Sequence, residues 1–441
     1  MLTLDQIAAQ LQGYDPQALK AFEVNEFLSR MVIPVHETER VDIFEALGRV
    51  LAQDLISPLN VPPHDNSAMD GYAFTYGQVR TNEPLVLKVV RTAFAGAPWK
   101  GSILPGECLK VMTGAVLTSG LDTVVPQELV EVETQNGNAT ITIPSGVVSL
   151  GDNRRLTGED IKIGKAALQK GDRVTPAALG LIASLGLAEV TVWRRLRVAY
   201  FSTGDEILSL GAVPREGAVY DSNRYTVFGL LTRLGVEMID MGVVRDNPAT
   251  LEAAFLSAAT QADAIITSGG VSVGEADHTK TMMRKLAGSA GGVAFWRIAM
   301  RPGRPMAVGR IAKPKADGGA KITNAAILFG LPGNPVAVMV TFLAFVRPAL
   351  LKMMGCTAAS PPYLRAKSVE PIRKKPGRTE YQRGVVTTAA DGSLTVRITG
   401  DQGSGVLSSM VQANGLIVLH HDQASVAAGE LVDVMMFSGA I

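Results

Sequence analysis

Cysteine is nearly absent. The 441 residues include two, Cys108 and Cys356, far apart and without metal-type spacing. A disulfide framework is thereby excluded, and a reducing compartment fits. Histidine is scarce as well: His36, His64, His278, His420 and His421 form no zinc constellation such as HExxH. An excess of either charge is also missing, since 42 basic residues against 41 acidic ones leave a formal charge of +1. Without a global basic field nothing points to nucleic acid, and any anionic ligand must be held by a local site. No long hydrophobic run occurs. The most apolar stretch, 336–346 (VAVMVTFLAFV), is too short to span a bilayer and is bracketed by Pro335 and Pro348. It reads as a buried helix, so no membrane partner is expected. The first residues show no basic segment followed by an apolar core, so a cytoplasmic location is expected. A Walker loop is missing too. Its nearest approach, 158–166 (GEDIKIGKA), has five residues between the glycines and alanine where the Mg²⁺-binding hydroxyl belongs.

What is present is a change of texture along the chain. Length allows two to four domains. Residues 1–60 read as helical and then extended. Between 61 and 164, short β-prone runs alternate with glycine and proline, and Asn136-Gly137 between 128–133 and 139–143 signals a hairpin. This segment reads as a mostly β domain inserted into an elongated first domain made of 1–60 and 165–195, although a linear order fits the texture equally. From 196 to 355, strands at 196–202, 236–244 and 263–268 alternate with helices at 221–234, from Pro248 to about Ala259, and near Asp277. Asp221 or Ser222 suits the cap of the first helix. This alternation predicts a doubly wound parallel α/β sheet. From 361 to 441 the chain is β again, in runs that suit a small barrel or sandwich.

In a doubly wound sheet, ligands sit beyond the carboxyl ends of the strands. That rule gathers 203–206 (TGDE), 245–246 (RD), 268–277 (SGGVSVGEAD) and 330–335 (GLPGNP) on one rim. Gly269, Gly270 and Gly274 allow close backbone approach, and the start of the next helix favours an anion. Glu275 and Asp277 contradict a plain phosphate loop. A divalent cation resolves the conflict, because Mg²⁺ takes one or two carboxylates with phosphate oxygens and water. An ordinary capped turn accounts for Asp277, for Thr203, Gly204, Asp205 and Glu206, or for Asp246 when each is taken alone. Three acidic loops on one rim are harder to explain so. Arg297 and Arg301 lie four apart, which on a strand places them on one face, and Arg304 follows Gly303. Guanidinium groups bind phosphate bidentately, though a solvated edge is the plain alternative. The turn at Pro332, Gly333, Asn334 and Pro335 leads into the buried helix, and its amides could contact phosphate.

Seven strings occur in one family's order: 66–73 (NSAMDGYA), 112–115 (MTGA), 202–206 (STGDE), 221–224 (DSNR), 268–280 (SGGVSVGEADHTK), 301–305 (RPGRP) and 331–335 (LPGNP). From about residue 25 to the end, the chain resembles the MoeA-type molybdopterin molybdenumtransferases, similar also to the C-terminal part of gephyrin. The resemblance implies homodimers of elongated four-domain subunits. It implies a transferase that takes adenylylated molybdopterin and molybdate, cleaves the adenylate with Mg²⁺ and releases AMP. By motif match the functional acids fall on Asp70, Asp160, Glu206, Asp246 and Asp277, with Asp277 and Glu206 as the expected metal ligands and Asp246 in addition. Substrate-binding positions fall on Thr113, Thr203, Gly204, Asp221, Ser222, Asn223, Ser268, Gly269, Gly270, Ser272 and Gly274, on the three arginines, and on the 332–335 turn. Arg383 and Ser404 match C-terminal positions that complete the cleft, and 66–73 reaches the partner's α/β site. The molybdopterin adenylyltransferase and other cofactor-biosynthesis proteins are the implied partners. Members often carry lysine where this chain has Arg297, Arg301 and Arg304, so charge is kept while its geometry changes. Two other readings remain: a nucleotide-pyrophosphate hydrolase sharing the α/β domain, and a non-enzymatic interaction module of the gephyrin kind. Neither explains the whole set of strings and acids together.

Overall fold

The structure is a computed structural model and describes residues 2–271, 278–288, 292–313, 325–357 and 362–438. At its centre is a six-stranded sheet of β1 (Arg197–Thr203), β2 (Glu237–Val244), β3 (Ala264–Ser268), β4 (Val293–Arg297), β5 (Pro305–Ala312) and β6 (Ala325–Leu331). Their spatial order is β2-β1-β3-β6-β5-β4. The first four pair in parallel, and β5 and β4 run antiparallel at one edge. Helices α1 (Ser222–Leu234), α2 (Pro248–Gln261), α3 (His278–Ala287) and α4 (Pro335–Thr341) cover both faces. Along β1, Val198 and Tyr200 enter one core with α1 and α4, while Ala199 and Phe201 enter the other with α2 and α3. Successive side chains of a strand take opposite faces. With both faces covered, 196–202 therefore reads as an unbroken apolar run without polar alternation.

Capping residues set where the helices begin. Asp221 accepts the Arg224 N–H at 3.1 Å to open α1, and Asn247 accepts the Thr250 N–H at 3.0 Å just before Pro248. From β1 the chain moves to β2 on one side and then crosses to β3 on the other. The strand order thus reverses between β1 and β3, which is where open α/β sheets bind their ligands.

Residues before and after the central β region pair with each other. Thr38–Asp42 lies antiparallel to Glu189–Trp193, and Leu55–Ile56 to Ala166–Leu168, over a core that includes Val41, Leu51, Ile182 and Val190. The intervening segment forms its own six-stranded sheet. Its hairpin turns at Asn136 and Gly137, with φ of 49° and 81°, between the paired Gln135 and Asn138. Two positive φ values are what a type I′ turn requires and what Asn-Gly tolerates. At the C-terminal end, Thr379–Thr388, Leu394–Ile398, Leu364–Ser368, Leu431–Met436 and Gly415–Leu419 pair in succession. The last pairs back onto the first, closing a five-stranded barrel.

The buried helix extends beyond Pro348. Helical structure runs over Pro335–Met353 through a π segment at Phe342–Val346. Pro348 offers no N–H to the Ala344 carbonyl, and the wider turn ahead of it accommodates that loss. By length and composition this helix could cross a membrane, but 83% of its apolar window is buried within the protein. It serves as the central helix of a core.

One ion pair fastens the sheet to the segment leading into it. Arg194 donates to both Asp263 oxygens, at 2.7 and 2.8 Å, and the Arg197 N–H donates to Asp263 at 2.9 Å. Burial alone would raise the Asp263 pKa, but the Arg194 guanidinium and the Arg197 amide bring it below the ordinary carboxylate range. A depressed folded-state pKa contributes stability above the unfolded value of about 3.9. That contribution is lost as pH falls through the lower folded value. Asp263→Asn is therefore expected to lower stability by about 2–3 kcal/mol at neutral pH. The deficit should shrink toward the acid end of the transition, as read from denaturant midpoints at a series of pH values.

Candidate functional site

The carboxyl ends of β1, β3 and β6 meet at close quarters because glycine lets them. Gly269 follows β3 with φ of 87°, and a Cβ there would lie 2.5 Å from the Thr203 carbonyl oxygen at the end of β1. The Gly269 N–H donates to the Leu331 carbonyl at the end of β6, at 3.2 Å. Gly270, with φ of 66°, packs against Thr279 in the first turn of α3, where a Cβ would lie 2.5 Å from that side chain. These are close approaches that only glycine permits.

A cleft of about 760 Å³ opens above these ends. Glu206, Gly269, Gly270, Gly333 and Asn334 line it from the sheet side, and Arg301 and Arg304 from the turn before β5. Arg378, Gln402 and Ser404 close it from the barrel. A second pocket of about 380 Å³ adjoins, lined by Ser202, Thr203, Asp221, Ser222, Asn223, Ser268 and Pro335. Glu206, Gly269, Gly333 and Asn334 border both.

The wall between them comes partly from the barrel. Asn334 caps no amide of α4 with its own side chain. Instead its Nδ2 donates to Ser404 Oγ at 2.9 Å, and the Val336 N–H donates to the Ser404 carbonyl at 3.1 Å. The strap 401–404 thus satisfies an amide at the start of the helix that the helix itself leaves unpaired. Arg383 lies beneath it, 1% exposed, donating to the Asp401 and Gly403 carbonyls at 3.2 and 3.0 Å and to Ser409 Oγ at 2.9 Å.

Electrostatically the cleft favours an anion. Three guanidinium groups line it against one described carboxylate, Glu206. That carboxylate folds back over Gly204, where a Cβ would lie 2.5 Å from Glu206 Oε2. Arg378 is held by Glu380, whose side chain is 3% exposed, through a 2.8 Å ion pair. Under the smaller pocket, Tyr200 OH lies 2.9 Å from Ser202 Oγ and 2.7 Å from Ser268 Oγ. Burial pushes the Tyr200 phenol well above its ordinary value, so it stays a neutral hydrogen-bonding group.

Most of the rim residues expected from sequence meet in this site, and the others are placed as follows. Asp277, Ser272 and Gly274, with Glu275, lie outside the described residues. Arg297 does not share a face with Arg301. The strand ends at Arg297, Ile298 turns fully into the core, and Met300–Arg301 pairs with Thr379 and Glu380 of the barrel. Arg297 remains exposed on β4, away from the cleft. Arg383 supports the strap from below and does not line the cleft. Asp246 leaves β2 and accepts Thr279 Oγ1 at 3.3 Å, which puts it at the first turn of α3. Asp70, Thr113 and Asp160 belong to the inserted β region and line neither pocket. There Asp70 accepts the Thr113 N–H and Oγ1 at 2.7 and 2.8 Å, and these bonds hold its carboxyl below the ordinary range. Arg378 and Gln402 were not anticipated. The signal for Arg378 was present, since 376–378 repeats the Pro-Gly-Arg of 302–304.

Comparison with known proteins covers nearly the whole chain. Residues 19–186 match the MoeA N-terminal region (domain I and II), 199–352 a probable molybdopterin binding domain, and 365–437 the MoeA C-terminal region (domain IV). The molybdopterin molybdenumtransferase of Haemophilus influenzae is 40% identical over 439 residues, covering 99% of both chains. That of a Nostoc species is 35% identical over 404 residues, covering 90% of this chain and 88% of the relative. The crystal structure of a molybdopterin biosynthesis moeA protein from Pyrococcus horikoshii superposes with a TM-score of 0.73 at 27% identity, covering 95% of this chain and 100% of that one.

Proposed function

We infer the reaction from the premise that this chain belongs to the MoeA family, and is therefore a transferase of molybdenum cofactor biosynthesis acting on molybdopterin. The reaction that fits is insertion of molybdenum from molybdate into adenylylated molybdopterin, with Mg²⁺-dependent cleavage of the adenylate and release of AMP. The observation that carries it is a cleft at the sheet's reversal point, where three arginines and a glycine loop face Glu206, the single carboxylate among the described lining residues.

In this reading Arg301, Arg304 and Arg378 bind the oxyanions of phosphate and molybdate, as guanidinium groups do bidentately. Amides of the glycine loop and of the 332–335 turn orient the pyrophosphate. An oxygen of molybdate or of water attacks phosphorus, the P–O bond of the pyrophosphate breaks, and AMP departs. The donor set suits Mg²⁺. Among the described residues no three His, Cys, Asp or Glu side chains cluster, so no all-protein cage forms. Mg²⁺ prefers one or two carboxylates completed by phosphate and water. Glu206 is the described residue that fits, with Asp246 and Asp277 as the further candidates. When bound, the ion would neutralise phosphate charge and steady the leaving group.

The same proposal includes a homodimer. Asp70, Thr113 and Asp160 are exposed on adjoining loops of the inserted region, and they line no pocket described above in their own chain. A second copy's cleft is the surface they would complete. The adenylated substrate implies an adenylyltransferase upstream, and the setting is the cytoplasm.

The test is AMP release from adenylylated molybdopterin, with formation of active cofactor as a second readout. With molybdate and Mg²⁺ both are expected. Chelation of the metal should slow AMP release at least about a hundredfold. Release that ignores molybdate and yields no cofactor would make the protein a pyrophosphate hydrolase. No release would make it an interaction module.

A further inference from the structure

Glu380 is a buried carboxylate beside the arginine cleft that the reaction above does not use. It lies on the first barrel strand, Thr379–Thr388, and is almost wholly covered. Its Oε1 accepts from both Nε and Nη2 of Arg378, each at 2.8 Å. Its Oε2 accepts from Gln382 Nε2 at 3.1 Å. A spacing of two along an extended chain brings Arg378, Glu380 and Gln382 to one face. The main chain of Glu380 pairs with Arg301, and the neighbouring Thr379 N–H donates to the Ala299 carbonyl at 2.8 Å. Glu380 therefore meets two of the cleft's arginines, one through its side chain and one through its backbone.

A pair of this kind is weak evidence for stability. The cost of burying a carboxylate can match what its partner contributes, and a well-packed apolar residue often serves as well. The pair has a clear effect on Arg378, whose side chain is 41% exposed and follows Pro376 and Gly377. A long side chain at such a place samples many rotamers, and an anion would have to freeze them. Glu380 holds the guanidinium by its Nε–Nη2 edge. Because the group is a planar fork, its Nη1–Nη2 end then points away from Glu380 and keeps two parallel donors for an oxyanion. The charge of Glu380 works the other way, since a carboxylate this close weakens the cleft's attraction for an anion. Orientation and field thus make opposite predictions.

We propose that Glu380 is a positioning residue for substrate binding: it presents the outer end of the Arg378 guanidinium to a phosphate or molybdate oxyanion. The oxyanion role of Arg378 rests on the reaction proposed above, whereas the hold of Glu380 on Arg378 rests on the geometry alone.

The test is calorimetric titration of the whole protein with inorganic pyrophosphate, with thermal midpoints recorded in parallel. Glu380→Met removes both acceptors at similar volume, and Glu380→Gln keeps a neutral acceptor in place. Positioning predicts pyrophosphate affinities falling in the order wild type, Glu380→Gln, Glu380→Met, with the last weaker by about tenfold. A field effect predicts that both variants bind alike and more tightly than wild type, as each removes one negative charge. In an Arg378→Ala background Glu380→Met should change the affinity by less than about twofold, because the residue through which it acts is gone. A loss of packing alone would persist in that background. KM for the adenylylated substrate should rise in step with the pyrophosphate dissociation constant, and kcat should fall less. Pyrophosphate affinity in Glu380→Met equal to wild type or tighter would overturn the proposal, as would an undiminished loss in the Arg378→Ala background. A wild-type protein that binds no pyrophosphate overturns it as well, since Arg378 then meets no oxyanion. Glu380-dependent pyrophosphate binding without AMP release supports the positioning and sinks the reaction. AMP release by wild type, with unaltered KM and pyrophosphate affinity in both variants, sinks the positioning alone.

Discussion

Glu206→Ala is expected to lower AMP release from adenylylated molybdopterin by at least about a hundredfold while leaving the fold intact. The two halves of that expectation have separate grounds. Glu206 is exposed. Substitutions at exposed positions usually change stability by less than about 0.5 kcal/mol. Its position matters more. It is the only described carboxylate lining the arginine cleft, and it borders the smaller pocket as well. A carboxylate facing three guanidinium groups is either a counter-ion for them or a ligand for a cation carried with the substrate. Glu206→Gln separates these roles. The amide keeps the shape and can still accept a hydrogen bond from an arginine, but it is a poor ligand for a hard divalent ion. Loss of activity in both variants, with a raised Mg²⁺ requirement in Glu206→Gln, would support the ligand role. Single-turnover AMP release across a Mg²⁺ series measures this, and a rate within tenfold of wild type in Glu206→Ala would overturn it.

Much of the central sheet was legible because its signals are local. Unbroken apolar runs marked the strands, Asp221 and Pro248 marked helix starts, and one topological rule then placed the loops on a single rim. The rim residues Thr203, Glu206, Asp221, Ser268, Gly269 and Gly333 do meet there. What stayed hidden depends on contacts between distant segments. Four-residue spacing suggested that Arg297 and Arg301 act together, but that presumes one uninterrupted strand. Packing of Ile298 into the core and pairing of Arg301 with the barrel break it. Arg378 and Gln402 enter the cleft only because the barrel docks against the sheet ends, and no local pattern reports docking. Arg310 shows the same limit within a strand. It is fully buried in β5, donating to the Leu2 and Met31 carbonyls at 2.7 and 2.9 Å. Composition would have placed such a residue on the surface.

Arg383→Met is expected to cost about 2–4 kcal/mol of stability and to weaken substrate binding without touching the reacting groups. Methionine fills much of the arginine volume and removes the donors. The Asp401 and Gly403 carbonyls and Ser409 Oγ would then lose the guanidinium that now holds them. Buried acceptors left without a donor are destabilising by about 1–3 kcal/mol each, less where water can enter. The strap they belong to carries Ser404, which bonds Asn334 and the Val336 amide at the start of α4. Loosening the strap therefore loosens the wall shared by the two pockets and frees Gln402 from its place in the cleft. The kinetic signature follows from this indirect route. KM for the adenylylated substrate should rise by about tenfold or more, whereas kcat at saturation should fall less, because uniform binding is what is lost. Arg383→Lys should recover only part of either effect, since one ammonium cannot reproduce a planar fork aimed at three acceptors. Denaturant midpoints and the split between KM and kcat test both claims. A variant with normal stability and collapsed kcat would instead place the Arg383 guanidinium in contact with the substrate.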